Sequence, residues 1–127
     1  VALSTLRTRC AGVIVLKGAG TLVGQADAPL LISPYDVPQL AMGGSGDVLA
    51  GCLGGLLALG DASARPSLCT AGLGVALHAL AGRACAAFWP ERGNRASELA
   101  DTLPRVRARF AHGNPGQAER EVLPWPE

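Results

Sequence analysis

Aromatic residues are scarce in this chain: two Phe, two Trp and one Tyr make up 4% of 127 residues. A core must therefore be built from Ala, Leu and Val, which the hydrophobic share of 49% supplies. Charge of one sign is also missing. A net charge of +1 excludes nucleic-acid or membrane-surface binding driven by electrostatics. Metal-ligand spacing is absent as well. Cys10, Cys52, Cys69 and Cys85 form no C-x-x-C pair, and His78 and His112 stand apart from them. A zinc site, or a metal held by protein ligands generally, is not expected. Reduced thiols in a cytoplasmic protein are the expectation instead. No secretory leader is visible, and His78 and Arg83 interrupt the longest apolar stretch, which argues against a membrane span. Gly (17) and Pro (9) are plentiful but fall in loops rather than in a repeat.

What is present divides into a strand-rich start and a helical remainder. Val13-Ile14-Val15-Leu16, within Gly12 to Lys17, is an apolar run rich in β-branched residues. It predicts a strand buried on both faces. Thr21-Leu22-Val23 and Leu30-Leu31-Ile32 predict two shorter strands paired as a hairpin. Ser33 to Pro38 reads as a loop, because Pro34 and Pro38 exclude helix. A helix is predicted from about Asp47 to Leu59 with Gly60 as its C-cap, and Pro66 in the loop beyond. Gly51, Gly54 and Gly55 within it suggest close approach of another backbone. A second helix is predicted from Leu68 to about Trp89, followed by a loop over Pro90 to Arg95. Ser97 caps a third helix carrying Leu99, Leu103, Val106 and Phe110 on one side, with a kink or break at Pro104. Residues 1–111 read as one folded unit and 112–127 as a polar tail that would dock, if at all, through Trp125. One long strand and two short ones cannot cover both faces of a sheet. The chain starts at Val1, and its first strong element looks like an interior strand. Both features suggest a portion of a longer α/β chain.

Two segments carry chemistry. In Gly43-Gly44-Ser45-Gly46-Asp47, glycines permit close backbone approach to a ligand and φ > 0. The apolar run after Asp47 puts the loop at a helix N-terminus, where free N–H groups and the helix dipole attract anions. A carboxylate there can act as a base beside a phosphate; the plain alternative is a tight turn with Asp47 as N-cap. No Lys follows the last glycine, so this is not a Walker A loop, nor does it match G-x-G-x-x-G. The second segment, Lys17-Gly18-Ala19-Gly20-Thr21, follows the carboxyl end of a strand, where α/β sheets bind ligands. Its alternative is a solvated lysine at a turn. His78, on an apolar background with no acid or cysteine close in sequence, is read as a buried structural histidine. Arg92 and Arg95 are read as solvated loop residues.

Together, Val15 to Thr21 and Gly43 to Gly51 resemble the ribokinase-like superfamily. Within it, they are most similar to the ADP/ATP-dependent NAD(P)H-hydrate dehydratases, also labelled carbohydrate kinases. Gly74 to Gly82, Arg95 to Leu99 and Leu103-Pro104 continue the match, which covers about residues 10 to 110. The resemblance implies a three-layer α/β/α sandwich, of which this chain would be the C-terminal portion. It implies a lyase of metabolite repair that restores NAD(P)H from its hydrate, NAD(P)HX, while cleaving ADP or ATP with Mg²⁺. By the same resemblance Asp47 is the catalytic base facing the substrate hydroxyl. Backbone N–H groups of Gly44, Ser45 and Gly46 form the anion hole, and Lys17, Gly18, Ala19, Gly20, Thr21 and Gly46 bind the nucleotide. Met42 and Ser33-Pro34-Tyr35-Asp36 depart from the family pattern beside the nucleotide. A small-molecule kinase of the superfamily and a non-catalytic nucleotide-binding fragment are the alternatives. Self-association, or association with a missing N-terminal half, is expected because a sheet face is left uncovered.

Overall fold

The computed structural model describes residues 2–60, 68–90 and 93–112. The predicted connection around Pro66, the residues Glu91 and Arg92, and the tail from 113 onward with Trp125 lie outside the described residues.

Three strands form one antiparallel sheet in the order β1 (Ile14–Leu16), β2 (Leu22–Gly24), β3 (Leu31–Ile32). Ile14 pairs with Gly24, Val15 with Val23 and Leu16 with Leu22; on the other edge Leu22 pairs with Ile32 and Val23 with Leu31. The expected hairpin is present. Successive strand residues face opposite sides of the sheet, and the neighbours of β2 show what covers each side. Val23, 1% exposed, packs with Val15, Leu49, Ala71 and Val75. A Cβ on Gly24 would instead meet Leu3 and Arg7 of α1 (Ala2–Arg9). Helices therefore flank the sheet on both sides, a small α/β/α arrangement.

The reading of β1 as buried on both faces needs correction. Its residues are half-buried and Leu16 is 37% exposed, because β1 is an edge strand covered on one side by the single short helix α1. That helix was not foreseen: only Leu3 and Leu6 punctuate a run of Ser, Thr and Arg. Arg7 fastens it by donating from Nη2 to Ala28 O at 2.7 Å in the connection between β2 and β3.

The other three helices make the core. α2 (Ser45–Ala58) starts two residues before the predicted position, α3 spans Leu68–Cys85 and α4 spans Ala96–His112. α3 lies between the others, and Leu77, Leu80 and Ala81 pack against Leu99 and Val106 of α4. By length and composition α3 passes as a membrane span, but it is the central helix of this core. The α2–α3 approach is close at one point: a Cβ on Gly74 would lie 2.5 Å from Leu53 Cδ2.

Two further expectations fail. Among the described residues nothing lies within 4 Å of where a Cβ would sit on Gly51, Gly54 or Gly55, so none of their backbone packs there. Of the kink or break expected at Pro104, the break does not occur: α4 runs on through it. Both Pro104 and Ala100, whose carbonyl loses its helical donor, are exposed, so that carbonyl is not buried without a partner. The cap of α4 also differs from the reading of Ser97: Glu98 reaches back to the Arg95 N–H (Oε2, 2.7 Å), as in a capping box. Pro38, the last residue of the predicted loop, opens a single 3-10 turn, Pro38–Leu40.

Candidate functional site

The Gly-rich segment does form a helix N-terminus. Gly44 is the N-cap of α2 at φ +84°, a left-handed conformation that L side chains adopt with strain. An added Cβ would also lie 2.9 Å from Ala96 Cβ. Asp47 is therefore not the N-cap. It is the third residue of α2 and exposed, a carboxylate in the first turn where the helix dipole favours it. The first helical donor to find a partner of the usual kind is Val48 N–H, to Gly44 O at 3.1 Å. Ser45 N–H meets Met42 O only at 3.5 Å. The N–H groups of Gly46 and Asp47 belong to the first turn, which has no intrahelical acceptor to offer them.

Ser45 is 2% exposed and held from two sides. Its Oγ donates to Leu40 O at 2.7 Å, and its carbonyl accepts from His78 Nε2 at 2.8 Å. The serine hydroxyl is thus spent on the fold. His78, 3% exposed, is buried as expected, and its partner is a backbone carbonyl. Because a carbonyl can only accept, Nε2 carries the proton in the neutral ring. Burial pushes the imidazole below its ordinary 6.5; the bond to Ser45 opposes this, and the nearby positive charge of Lys17 adds to it.

The turn preceding this loop is tied down separately. Gln39, 6% exposed, donates from Nε2 to Trp89 O (3.3 Å) and Pro90 O (3.1 Å). Asn94 returns a bond from Nδ2 to Gln39 O at 3.2 Å and touches Met42 Sδ at 3.5 Å. Met42 therefore packs against the α3–α4 connection.

A cavity of about 450 Å³ lies beside these groups, within the usual range for small-ligand sites. Lys17, Gly18, Ala19 and Thr21 form one wall, and Tyr35, Asp36 and Leu40 form part of another. Leu49 and His78 close it toward α2 and α3. The structure thus brings the Lys17 turn together with the segment leading into the Gly-rich loop. Gly20 and the residues Gly44 to Asp47 are not in the cavity wall; the loop sits at its margin, joined through Ala41, Leu49 and the His78–Ser45 bond. Thr21 is buried and its hydroxyl serves its own turn, accepting from Gly18 N–H (3.3 Å) and donating to Gly18 O (3.1 Å). Tyr35 is backed by Arg83, whose guanidinium carbon is 5.5 Å from the ring centroid.

Among the described residues no group of three or more His, Cys, Asp or Glu side chains could hold a metal ion. All four cysteines are free. Burial raises the Cys52 and Cys85 thiols above their ordinary value, opposed at Cys52 by Arg107 and at Cys85 by the Thr102 hydrogen bond.

Known proteins resemble this chain closely. A family model described as NAD(P)H-hydrate dehydratase matches residues 2–105. The bifunctional NAD(P)H-hydrate repair enzyme Nnr of Coxiella burnetii is 38% identical over 107 residues, covering 84% of this chain and 20% of that protein. The ADP-dependent (S)-NAD(P)H-hydrate dehydratase of Bacillus subtilis is 36% identical over 102 residues, covering 77% of this chain and 34% of that one. The solved structure of Bacillus subtilis YxkO, a member of the UPF0031 family, superposes with a TM-score of 0.64 at 35% identity. That superposition covers 84% of this chain and 38% of the other, and it establishes the shared α/β fold. The chain spans between about a fifth and two fifths of the length of these relatives.

Proposed function

The chain belongs to the NAD(P)H-hydrate dehydratase family, and from that premise we propose that it carries part of a site for nucleotide-dependent dehydration of NAD(P)HX. The observation behind this reading is the start of α2. A left-handed Gly44 opens first-turn donors and an exposed carboxylate stands at Asp47, at the start of the helix whose Leu49 lines a cavity of about 450 Å³ bearing Lys17. The relative named as ADP-dependent supports a nucleotide as co-substrate.

The chemistry in view is phosphoryl transfer from ADP or ATP to the hydroxyl of the hydrated ring, releasing AMP or ADP, then elimination of that phosphate as the neighbouring ring carbon gives up a proton, which restores the double bond. Asp47 takes the hydroxyl proton as it attacks. The backbone of Gly44 to Gly46 and the positive end of α2 stabilise charge growing on the transferred phosphoryl, a fixed electrostatic contribution. Lys17 meets phosphate charge from the opposite wall, while the Gly18 to Thr21 turn shapes that wall. The described side chains offer no cluster for Mg²⁺, so no step is assigned to it; an ion carried on phosphates needs few protein ligands. The rest of the pocket is supplied by a further segment or second copy docking along the exposed residues Leu16 and Ile32 (62% exposed). The four free thiols fit a cytoplasmic setting.

The test supplies NADHX with ADP or ATP to the protein at its natural length and follows recovery of reduced-nicotinamide absorbance. Asp47→Asn should lower turnover by about 10²- to 10⁴-fold, the usual range for general-base loss, with ADP affinity kept within twofold. Full turnover by Asp47→Asn removes Asp47 from the mechanism. Phosphorylated product without recovered absorbance replaces the dehydratase reading with a kinase.

A further inference from the structure

We propose that His78 is a positioning residue for the anion loop: by donating from Nε2 to Ser45 O, it fixes the first carbonyl of α2 and so the direction in which the Gly44 to Asp47 backbone presents its donors. The inference rests on the proposed function for what the loop binds, but not for the clamp itself.

Three observations carry it. First, Ser45 is gripped at two atoms from two elements, its Oγ by Leu40 O at 2.7 Å and its carbonyl by His78 at 2.8 Å. Among the described residues nothing else in the first turn is held this way: Gly46 has no side chain, Asp47 makes no side-chain tie to the rest of the fold, and Asp47 is exposed. Second, the grip comes from the middle of α3, whose neighbouring residues Leu77, Ala79 and Leu80 are all buried. The anchor is therefore rigid, while the loop it holds is glycine-rich and free to choose among many conformations. Third, His78 and its neighbours Val75 and Ala79 line the same cavity as Lys17. One side chain thus touches both the cavity and the turn at its margin.

A buried apolar residue would fill the space but leave Ser45 O with one fewer donor. A hydrogen bond to a loop of this kind sets geometry more than stability. Glutamine can place an N–H near the position of Nε2, whereas leucine cannot. The two substitutions separate orientation from packing.

The experiment uses the protein at its natural length, in three forms: wild type, His78→Gln and His78→Leu. In the free protein, ¹⁵N spectra of the imidazole should show the neutral Nε2–H tautomer. Hydrogen exchange at Val48, whose N–H bonds Gly44 O, should speed by about tenfold in His78→Leu, the factor that loss of one such bond typically brings. It should stay within twofold in His78→Gln, with the α4 amides Leu99 and Val106 unchanged in both. An Nδ1–H tautomer, unchanged Val48 exchange in His78→Leu, or equal acceleration in α4 each overturns the inference, the last by showing a general core role. Titration with ADP then tests its consequence: His78→Leu should bind about tenfold more weakly and His78→Gln within twofold. If wild type fails to bind ADP, the proposed function fails, and the exchange data alone decide the role of His78.

Discussion

Two glycine-rich stretches lie within the same turn-and-helix unit and have opposite physical meaning. In Gly43 to Gly46 a glycine is required: Gly44 holds φ +84°, and a Cβ there would come within 2.9 Å of Ala96. Among the described residues nothing requires a glycine at Gly51, Gly54 or Gly55, since a Cβ at each would meet no neighbour within 4 Å. Instead Gly51 and Gly55 help line a shallow apolar groove with Leu56, Leu59 and Leu103. Each stretch holds three glycines. What differs is whether the backbone or the surface is being specified.

Substitution by alanine breaks or sharpens this contrast. The largest effect is expected at Gly44→Ala, where a left-handed backbone and a steric overlap combine to cost about 2 kcal/mol or more, measured by denaturant unfolding. ADP binding should be lost in the same protein. Gly51→Ala and Gly55→Ala should have the opposite sign, raising stability by roughly 0.5–1 kcal/mol each through helix propensity. A destabilised Gly55→Ala chain would show that the groove is filled in solution. The smallest effect is a pH slope from the other end of the loop's anchorage. His78 has its folded pKa depressed below 6.5, so the unfolded chain binds more protons in that range. Its contribution to stability is fully present above about pH 6.5 and is lost as pH falls toward the folded value. Urea unfolding at pH 7.5 and pH 5.5 should show a decrease that His78→Gln reduces; an equal decrease in both proteins would assign the slope elsewhere.

The sequence shows how much of this was legible and where it stopped. The hairpin, the helix start after the Gly-rich loop and the apolar side of α4 follow from local patterns, because period and turn chemistry are short-range signals. The two chemical segments were also visible, and the fold does bring the Lys17 turn and the approach to Gly44 to one cavity. The role of Gly51, Gly54 and Gly55 is not legible, because a missing side chain is silent about whether its space is occupied. α1 escaped notice because two leucines in eight residues give no period. His78 was recognised as buried, but its acceptor is a main-chain atom 33 residues away, and no side-chain motif records that.

The Gln39 and Asn94 bonds carry a consequence for the order of folding. They join residues 50 to 55 positions apart in the chain, and His78 and Ser45 are 33 apart. Closing such loops costs entropy before any contact repays it. The helical pair α3 and α4, joined by a short connection, can dock early, whereas the approach to the Gly-rich loop is secured late. Truncating Gln39 or Asn94 should accordingly speed unfolding while leaving the folding rate almost unchanged, the behaviour of contacts absent from the transition state. The ligand-facing end of the molecule would then be the first part to open and the last to form.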